Sequence, residues 1–274
     1  SEELYLGNPM MIMRELTIEE TVLEEGEVLT RYRETRPAGN DRADEDIRQA
    51  VDILERPPLN LKRDSSWKET YACGFNRQKE LDEWVFQTGD KLRAEFELRA
   101  TPEGLLAVTP GVIDKESRMY LWSPRTLEGD QWIEYDFRLE SPAGLSLLVV
   151  CCRGPQREDF ILERGVDKTG SMGTILGDTV NYHWEYMRRV EMMRRDVETQ
   201  YLSKNPWHWR MHYGCIPRFE QNRWYRLRLV KSGHRIHGSI DRKTVFDVTD
   251  DASANNGPVL NFGRIGLRQM YNTT

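Results

Sequence analysis

Apolar and polar residues alternate with a period of two through most of the chain from about Trp67 onward. Side chains along a β-strand point to opposite faces in turn, so this period is typical of strands that bury one face. Clusters of Gly, Pro, Asp and Ser separate the alternating segments. Many short strands with little helix predict an all-β sandwich or barrel, and we expect one jelly-roll domain. The predicted strands are 69–73, 84–87, 94–100, 105–109, 119–122, 131–139, 145–152, 174–189, 200–213, 224–231, 235–241, 244–248 and 263–270.

Residues 1–66 precede this pattern and form a predicted N-terminal extension, with a strand and a helix, packed on a jelly-roll domain of residues 67–274. A helix is predicted over 41–56, because an Asn-Asp pair can cap its start and Pro57 ends it. Its apolar residues recur at helical spacing and predict a single buried stripe of Ile47, Ala50, Val51 and Leu54.

The composition limits the classes of partner. The chain has 274 residues and a formal net charge of −6. Nucleic-acid binding needs a basic face for the phosphates, so this charge argues against nucleic acid, and equally against an anionic membrane surface. No apolar run is long enough to span a bilayer, so no membrane insertion is expected. An aromatic content of 10% favours a protein that stacks on a ligand such as a carbohydrate. The oligomeric state stays open, and a periplasmic or secreted location is favoured over a cytoplasmic one.

The four cysteines are predicted to be free thiols. Cys151 and Cys152 are adjacent in an apolar strand, so their side chains point to opposite faces and cannot bond to each other. Cys73 and Cys215 are isolated in the sequence, and no C-x-x-C pair exists. A structural zinc site is therefore not expected.

The stretch from Asn181 to Trp209 concentrates polar and aromatic side chains between two strand-forming segments. Its side chains should alternate between two faces, neither of which is plainly apolar. We therefore predict that one face lines a groove that holds a polar ligand. One face carries His183, Glu185, Met187 and Arg189, and the other carries Tyr182, Trp184, Tyr186 and Arg188.

The C-terminal strands follow the pattern W-x-R-L-x-L-V-K-x-G-x-x-I-x-x-x-I-D from Trp224 to Asp241. This pattern resembles the concanavalin A-like lectin/glucanase superfamily, in which paired antiparallel sheets form a curved sandwich. Further motifs resemble the YesU-like family of uncharacterised bacterial proteins: Tyr182-His183, Lys204-Asn205-Pro206 and Gly263-x-Ile265-Gly266-x-Arg268-Gln269-Met270. The resemblance covers residues 70–270. It implies a jelly-roll β-sandwich and a role in the breakdown of pectin-like or other acidic polysaccharides.

An enzyme and a non-catalytic sugar-binding module are the two main hypotheses of function, and a structural or interaction domain is a third. Retaining glycosidases of this superfamily carry two Glu flanking an Asp on one strand, and the chain has no E-x-D-x-E motif. A polysaccharide lyase is therefore preferred over a glycoside hydrolase. In this hypothesis Arg189 or Lys204 neutralises a substrate carboxylate. His183 then accepts the adjacent proton while Glu185 holds the imidazole, and Tyr186 is the alternative base.

The predicted site is a groove on the concave sheet, with Trp122 or Trp207 as its stacking wall. No cofactor is required, although Asp250 and Asp251 are candidates for a structural calcium site. His183 also has a simpler interpretation, as a hydrogen-bonded histidine of the sheet. The predicted binding side chains are Trp122, Arg188, Lys204, Asn205, Trp207, His208, Arg268 and Gln269.

Overall fold

The structure is a computed structural model. It describes residues 8–14, 41–56, 66–110, 117–162, 169–189, 197–206, 208–252 and 257–270. Within these ranges, residues 8–14, 41–47 and 189 are described by their backbone alone.

Strands dominate the described part of the chain, as the alternating pattern predicts. The helices are α1 (Asp41–Glu55) and α2 (Gln78–Asp82). The strands are β1 (Asn8–Arg14), β2 (Val85–Thr88), β3 (Glu97–Thr101), β4 (Gly104–Thr109), β5 (Arg118–Trp122), β6 (Leu127–Glu128), β7 (Gln131–Arg138), β8 (Gly144–Arg153), β9 (Val180–Arg189), β10 (Val197–Asn205), β11 (Trp209–Pro217), β12 (Trp224–Ser232), β13 (Arg235–Ile240), β14 (Lys243–Thr249) and β15 (Phe262–Met270).

The strands form two antiparallel sheets packed face to face. Sheet 1 has the order β14-β13-β12-β7-β1-β4-β3. Sheet 2 has the order β11-β10-β9-β8-β15-β5-β2, and β6 pairs with β15 beside it. The predicted sandwich of two antiparallel sheets is therefore confirmed.

The main core lies between the two sheets, where alternate side chains of facing strands meet. Sheet 2 contributes Leu148, Tyr182 and Trp184, and sheet 1 contributes Phe137 and Leu227, all of them fully buried. Burial of one large apolar side chain stabilises the fold by about 1.5–3 kcal/mol. The indole Nε1 of Trp184 donates to the side-chain oxygen of Gln200 at 2.7 Å, so its polar atom is satisfied inside the core.

Helix α1 forms where it is predicted and closes one side of the sandwich. It packs against β11 and β14, which are the edge strands of the two sheets. Lys243 of β14 donates its Nζ to the carbonyl of Leu54 at 2.7 Å, which satisfies a group at the C-terminal end of the helix. Covering both edges removes a site of strand-to-strand association. Neither α1 nor α2, the helices of the described residues, is long and apolar enough to cross a membrane.

Three strand predictions are wrong. The predicted strand 200–213 is a hairpin, because Pro206 has no N–H to continue a ladder and the chain turns there between β10 and β11. Residues 69–73 form neither strand nor helix. The segment 174–178 forms a wide helical turn, and β9 starts only at Val180.

The cysteines are free, as predicted. Cys151 belongs to the core between the sheets, whereas Cys152 packs with the apolar residues on the other face of sheet 2. The two thiols therefore diverge, as alternation requires. Burial raises the pKa of Cys151 to about 12, so this thiol is unreactive at neutral pH.

Strand β1 belongs to sheet 1 itself, between β4 and β7. Ile12 pairs with Leu106 on one side and with Arg138 on the other. Part of the predicted extension is therefore a central strand, and it joins strands that lie far apart in the sequence.

Because Ile12 has a partner strand on both sides, its N–H faces a neighbour whichever way it points. We expect Ile12→Pro to lower the free energy of unfolding by about 1–3 kcal/mol, through loss of one ladder hydrogen bond. Urea unfolding measures this loss. Ile12→Val keeps the N–H and the β-branched side chain and should lose less. Equal stability of the Pro and Val variants would contradict the central position of β1.

Candidate functional site

Two rows of side chains cross the outer face of sheet 2, the face that points away from sheet 1. Residues paired directly across neighbouring antiparallel strands present their side chains on the same face. Each row therefore runs from β5 through β15, β8, β9 and β10 to β11. The first row is Tyr120, Arg268, Leu147, Glu185, Tyr201 and Tyr213, and the second is Trp122, Gly266, Val149, His183, Ser203 and Arg210.

The imidazole of His183 is held by a chain of amides. Asn181 donates its Nδ2 to the carbonyl of Ile175 at 2.9 Å and to the hydroxyl of Thr179 at 3.0 Å, so its Oδ1 is an acceptor. Asn205 donates its Nδ2 to that Oδ1 at 2.7 Å, and the same Nδ2 lies 2.8 Å from Nδ1 of His183. Nδ1 must therefore accept a hydrogen bond, which places the proton of a neutral imidazole on Nε2.

This arrangement corrects two roles proposed for His183 and Glu185. Burial, and then the neighbouring His208 and Arg268, lower the pKa of His183 to about 3. The imidazole is therefore neutral, and Nε2 donates rather than accepts. Asn205, not Glu185, orients the ring. Nε2 has no hydrogen-bond partner among the described residues, although it is fully buried.

Glu185, Arg188 and Tyr201 form a second cluster on this face. Arg188 donates one Nη1 to a carboxylate oxygen of Glu185 at 2.8 Å and to the hydroxyl of Tyr201 at 2.8 Å. Ideal alternation predicts that Arg188 points away from Glu185. The pairing register shifts here, since Ser146 pairs with Met187 and the next residue, Leu147, pairs with Glu185. This β-bulge turns Arg188 onto the outer face.

The ionisation of this cluster reflects its burial. Burial raises the pKa of Glu185, and the guanidinium of Arg188 opposes that shift. Burial also raises the pKa of Tyr201, and the carboxylate of Glu185 raises it further. Tyr201 therefore stays protonated at neutral pH, whereas Glu185 is the group of this cluster whose protonation is tuned toward the neutral range.

Arg268 is the most unusual charge on this face. Its side chain is fully buried, and the guanidinium lies over the ring of Tyr120 at 5.1 Å. Nη2 makes a long contact of 3.4 Å to the carbonyl of Gly170, while Nε and Nη1 have no partner in the described part of the chain. Burial lowers its pKa. A buried cation without an acidic partner is costly, so this position favours an anionic ligand.

The outer end of both rows is open to solvent. We call Tyr201, His208, Arg210 and Tyr213 the aromatic-basic patch. The rings of Tyr201 and Tyr213 stack at 6.3 Å with an angle of 18°, and the guanidinium of Arg210 lies 5.0 Å and 5.9 Å from their centroids. The ring of His208 stacks on His183 at 5.4 Å and so links the patch to the buried end. Tyr213 is 38% exposed.

The sequence prediction missed Tyr201, Arg210 and Tyr213. The reason is the missed hairpin, because a single strand through 200–213 does not bring these residues side by side. Asn205-Pro206 was the available signal of a turn. With β10 and β11 separated there, alternation places all three on the face of His183.

The inner end of the rows lies under the segment 169–179. Tyr120 donates its hydroxyl to the carbonyl of Ser171 at 3.0 Å, and Asn181 holds the carbonyl of Ile175. Ile175 and Phe160 pack on the apolar residues of the rows. His183 and Arg268 are therefore closed to solvent in this conformation, and the aromatic-basic patch is the accessible entrance.

Lys204 lies on the opposite face of β10, and its predicted binding role is wrong. Its Nζ is 2.7 Å from a carboxylate oxygen of Asp250 and donates to the carbonyl of Gly257 at 2.8 Å. The hydroxyl of Tyr182 donates to the same carboxylate at 2.5 Å. Asp250, one of the two calcium candidates, is thus engaged by protein groups. Among the residues described, no three His, Cys, Asp or Glu side chains are grouped to hold a metal.

Three further site predictions are wrong. Tyr186 lies in the core between the sheets, where it cannot reach a ligand. Gln269 is buried and shares the inward face of Leu267. Trp122 is on the outer face but is fully buried between Tyr120 and Phe160, so it cannot act as a stacking wall. Trp207 and the side chain of Arg189 lie outside the described residues.

Residues 68–274 match DUF1961, a domain of unknown function. The chain belongs to this family. It is 28% identical over 162 residues to the uncharacterized protein YesU of Bacillus subtilis (strain 168), covering 58% of this chain and 73% of YesU. The predicted YesU-like relationship is therefore confirmed.

A solved structure shares the architecture. A Bacillus subtilis protein of unknown function with a galectin-like fold matches with a TM-score of 0.62 and 25% identity, over 72% of this chain and 86% of that chain. The carbohydrate-binding module CBM66 from Bacillus subtilis matches with a TM-score of 0.41 and 15% identity, over 70% of this chain and 92% of that chain. The first of these matches agrees with the jelly-roll sandwich of two antiparallel sheets.

We expect Lys204→Met to lower the free energy of unfolding by about 3–5 kcal/mol, because it leaves the carboxylate of Asp250 buried without its cation. The side chains of this pair are 2% and 0% exposed. Arg99→Met is the matched control, since it breaks an exposed pair with Glu97 and should change stability by at most about 1 kcal/mol. Chemical denaturation measures both. A loss no larger than the control's would contradict a structural role of Lys204.

The buried histidines predict acid sensitivity. Burial lowers the pKa of His183 to about 3, and those of His212 and His237 to about 4. Below about pH 6.5 the unfolded chain binds protons that the folded chain does not, so stability falls as the pH drops toward 4. Each histidine contributes a loss of about 2 kcal/mol between pH 6.5 and 5.

We expect His183→Gln to make the unfolding free energy less dependent on pH over this interval, whatever it does to stability at pH 7. Urea unfolding at pH 7 and pH 5 gives the difference for each protein. An unchanged difference in the variant would show that His183 titrates normally in the folded state.

Proposed function

We propose that the outer face of sheet 2 binds an acidic carbohydrate, with the carboxylate of a uronate sugar received by Arg268 and by Nε2–H of His183. The observation that carries this proposal is the fully buried guanidinium of Arg268, which has two nitrogens without a partner among the described residues. A guanidinium offers a planar fork of donors that matches a carboxylate.

The balance of charges on this face supports binding of an anion. Among the described residues, Arg210 and Arg268 lie in the two rows and Arg188 lies beside them, and Glu185 is the carboxylate that the rows contain. Arg188 is already paired with that carboxylate, which leaves two cations in excess. The whole chain has a net charge of −6, so this local excess of positive charge is a property of the face and not of the protein.

The donors at the inner end also fit a carboxylate. His183 is neutral with its proton on Nε2, so it donates without adding a second buried charge. The hydroxyl of Ser203, next to His183 in the second row, has no partner among the described residues either. An anion bound here would satisfy donors that the protein leaves open, and each such charged hydrogen bond stabilises by about 1.5–3 kcal/mol.

The aromatic-basic patch supports a sugar rather than a free small anion. Tyr201 and Tyr213 give a stacked aromatic surface, 6.3 Å between centroids, against which the C–H face of a pyranose can pack. The guanidinium of Arg210, 5.0 Å and 5.9 Å from the two ring centroids, supplies hydrogen-bond donors next to this surface. An oligosaccharide that enters from the open end can place one sugar unit on the aromatic-basic patch and an acidic unit at Arg268.

Binding at Arg268 requires the segment 169–179 to move. Nearest Arg268 it is held by a 3.4 Å contact to the carbonyl of Gly170 and a 3.0 Å hydrogen bond from Tyr120 to Ser171, and further along Gln87 donates to Thr174. A uronate carboxylate offers Arg268 a stronger acceptor than the carbonyl of Gly170, since charge-assisted hydrogen bonds are the stronger ones.

Catalysis by the same face is the second candidate function, and Glu185 is the observation that favours it. Its carboxylate is buried, its pKa is raised by burial, and Arg188 and Tyr201 orient it. Such a group can serve as a general acid or base in a lyase or a hydrolase. Neither reaction in this scheme requires a cofactor.

We expect Arg268→Met to weaken binding of a trigalacturonate about tenfold to a hundredfold, and to leave stability unchanged or higher because an unpaired buried charge is removed. Titration calorimetry measures the affinity. Arg235→Met is the control: it removes an exposed cation of sheet 1 that pairs with Asp247, and it should keep full affinity. The uncharged galactose trimer should bind more weakly than the trigalacturonate to the wild-type protein. Equal affinity of the Arg268→Met variant and the wild type would sink the proposal.

Mass spectrometry of the same mixtures separates binding from catalysis. Products without added water indicate a lyase, products with added water indicate a hydrolase, and an intact ligand indicates a binding module. If products form, we expect Glu185→Gln to remove turnover while binding is retained. Turnover that survives this substitution would rule out Glu185 as the acid or base.

A further inference from the structure

A cavity of about 600 Å³ lies apart from the outer face of sheet 2, between the segment 67–75 and β7. Its volume is typical of small-molecule sites, which range over about 300–1,000 Å³. None of the residues assigned above to the acidic-carbohydrate site is among the described residues that line it. The cavity therefore needs a separate explanation.

The cavity lies beside the part of β7 that β1 does not pair with. Strand β1 pairs with β7 only over Asp136–Arg138. From Gln131 to Tyr135, β7 has no strand on that side within the described part of the chain. The opening reaches Ile265 and Leu267, which lie on the inner face of sheet 2. The cavity thus enters the space between the sheets and has an apolar floor.

Aromatic rings form its walls. Trp67 meets Trp132 edge to face at 5.6 Å, and Tyr71 lies 6.1 Å from Trp84. The indoles of Trp84 and Trp132 already donate to Tyr71 and Glu134, so both rings are fixed in orientation. Fixed aromatic walls over an apolar floor favour a ligand with a flat apolar body.

One polar group at the cavity has unmet hydrogen bonds. Gln131 lines the cavity and is only 4% exposed, yet neither atom of its side-chain amide has a partner among the described residues. A buried amide without partners costs about 1–3 kcal/mol. A ligand with one donor or acceptor would remove that cost.

Three of the four carboxylates around the cavity are already paired with cations. Four carboxylates and two cationic side chains line it: Glu69, Glu128, Asp130 and Glu134 against Lys68 and Arg125. Burial opposes the ionisation of Glu134, but hydrogen bonds from Arg228 and Trp132 lower its pKa, so it is charged at neutral pH. Glu128 is paired with Arg157 and Asp130 with Lys231, so an uncharged ligand would add no unpaired charge beside the apolar floor.

We propose that this cavity is a second ligand site, for an uncharged small molecule with a flat, mainly apolar ring body and one hydrogen-bonding group placed at Gln131. This site takes an uncharged, mainly apolar ligand, whereas the outer face of sheet 2 takes an anionic sugar. The proposal does not depend on the function proposed for that face.

A matched pair of fluorescent probes tests the proposal. N-Phenyl-1-naphthylamine is uncharged and carries one N–H, and 8-anilino-1-naphthalenesulfonate has the same ring system with an added sulfonate. We expect the uncharged probe to bind with one-to-one stoichiometry and to quench tryptophan emission. The sulfonate should bind at least tenfold more weakly. Saturating trigalacturonate should not displace the uncharged probe. Absence of binding, equal binding of both probes, or displacement by trigalacturonate would overturn the assignment.

Two substitutions locate the bound probe. Ala72 is exposed and lines the cavity, so Ala72→Trp should narrow the cavity and weaken binding of the uncharged probe at least tenfold. Ala94 is exposed and is not among the lining residues, so Ala94→Trp should bind the probe as the wild type does. Undiminished binding by Ala72→Trp would place the probe elsewhere and contradict the proposal.

Gln131→Leu gives a readout that does not depend on a new bulky side chain. Removal of a buried amide without a partner among the described residues should raise the thermal midpoint of unfolding. Loss of the hydrogen-bonding group should weaken binding of the uncharged probe about fivefold to tenfold. A folded Gln131→Leu protein with wild-type affinity would show that the amide does not contact the ligand.

Discussion

The packing of β9 against sheet 1 decides where the polar side chains of the candidate site point. Tyr182, Trp184 and Tyr186 fill the space between the sheets, and Trp184 meets Phe246 of sheet 1 edge to face at 4.9 Å. Because side chains alternate, these rings force His183 onto the outer face. A slip of one residue would place the imidazole between the sheets and the three rings on the outer face, so the hydrophobic register holds the site in place.

On that face, the amides of Asn181 and Asn205 set the chemistry of His183. Asn181 donates both of its amide hydrogens, to Ile175 and Thr179, so its oxygen must accept a hydrogen bond from Asn205. The side-chain nitrogen of Asn205 is therefore the atom that faces the imidazole, and it acts as a donor. The ring is then neutral with its hydrogen on Nε2. A general base would need the opposite tautomer or an acidic orienting partner. The imidazole is therefore suited to donating a hydrogen bond from Nε2 to an acceptor, and it is not suited to removing a proton.

The sequence was sufficient for the features that depend on alternation and on chain breakers. These features are the sandwich, α1, the divergence of Cys151 and Cys152, and the face of His183. It failed where the backbone departs from an ideal strand. The bulge at Tyr186 and Met187 brings Arg188 back to the face of Glu185, and the turn at Pro206 pairs Tyr201 with Tyr213. The bulge depends on the partner strand, which the pattern of a single strand does not contain, whereas the turn had a signal in Asn205-Pro206 that the strand prediction overlooked.

Lys204 shows a different limit of the sequence. A lysine in a polar stretch was assigned to a ligand, but its partner Asp250 is far along the chain and reaches it only in the folded sandwich. The sequence shows that a residue is charged, whereas the burial of its side chain and its partner in the folded protein decide its role. Arg268 is the converse case, since its burial comes without an acidic partner among the described residues.

Strand β15 connects the two proposed ligand sites through alternation alone. Arg268 points to the outer face, while Leu267 and Ile265 form part of the floor of the inner cavity. Residues one apart on a strand therefore serve ligands of opposite character. The apolar layer between the sheets keeps a buried guanidinium away from the carboxylates around the cavity. If the two charges faced one another, Arg268 would pair with a carboxylate and would not be available to a ligand. On its own face the carboxylate of Glu185 is engaged by Arg188, so a protein with a net charge of −6 keeps at Arg268 a cation without an acidic partner among the described residues.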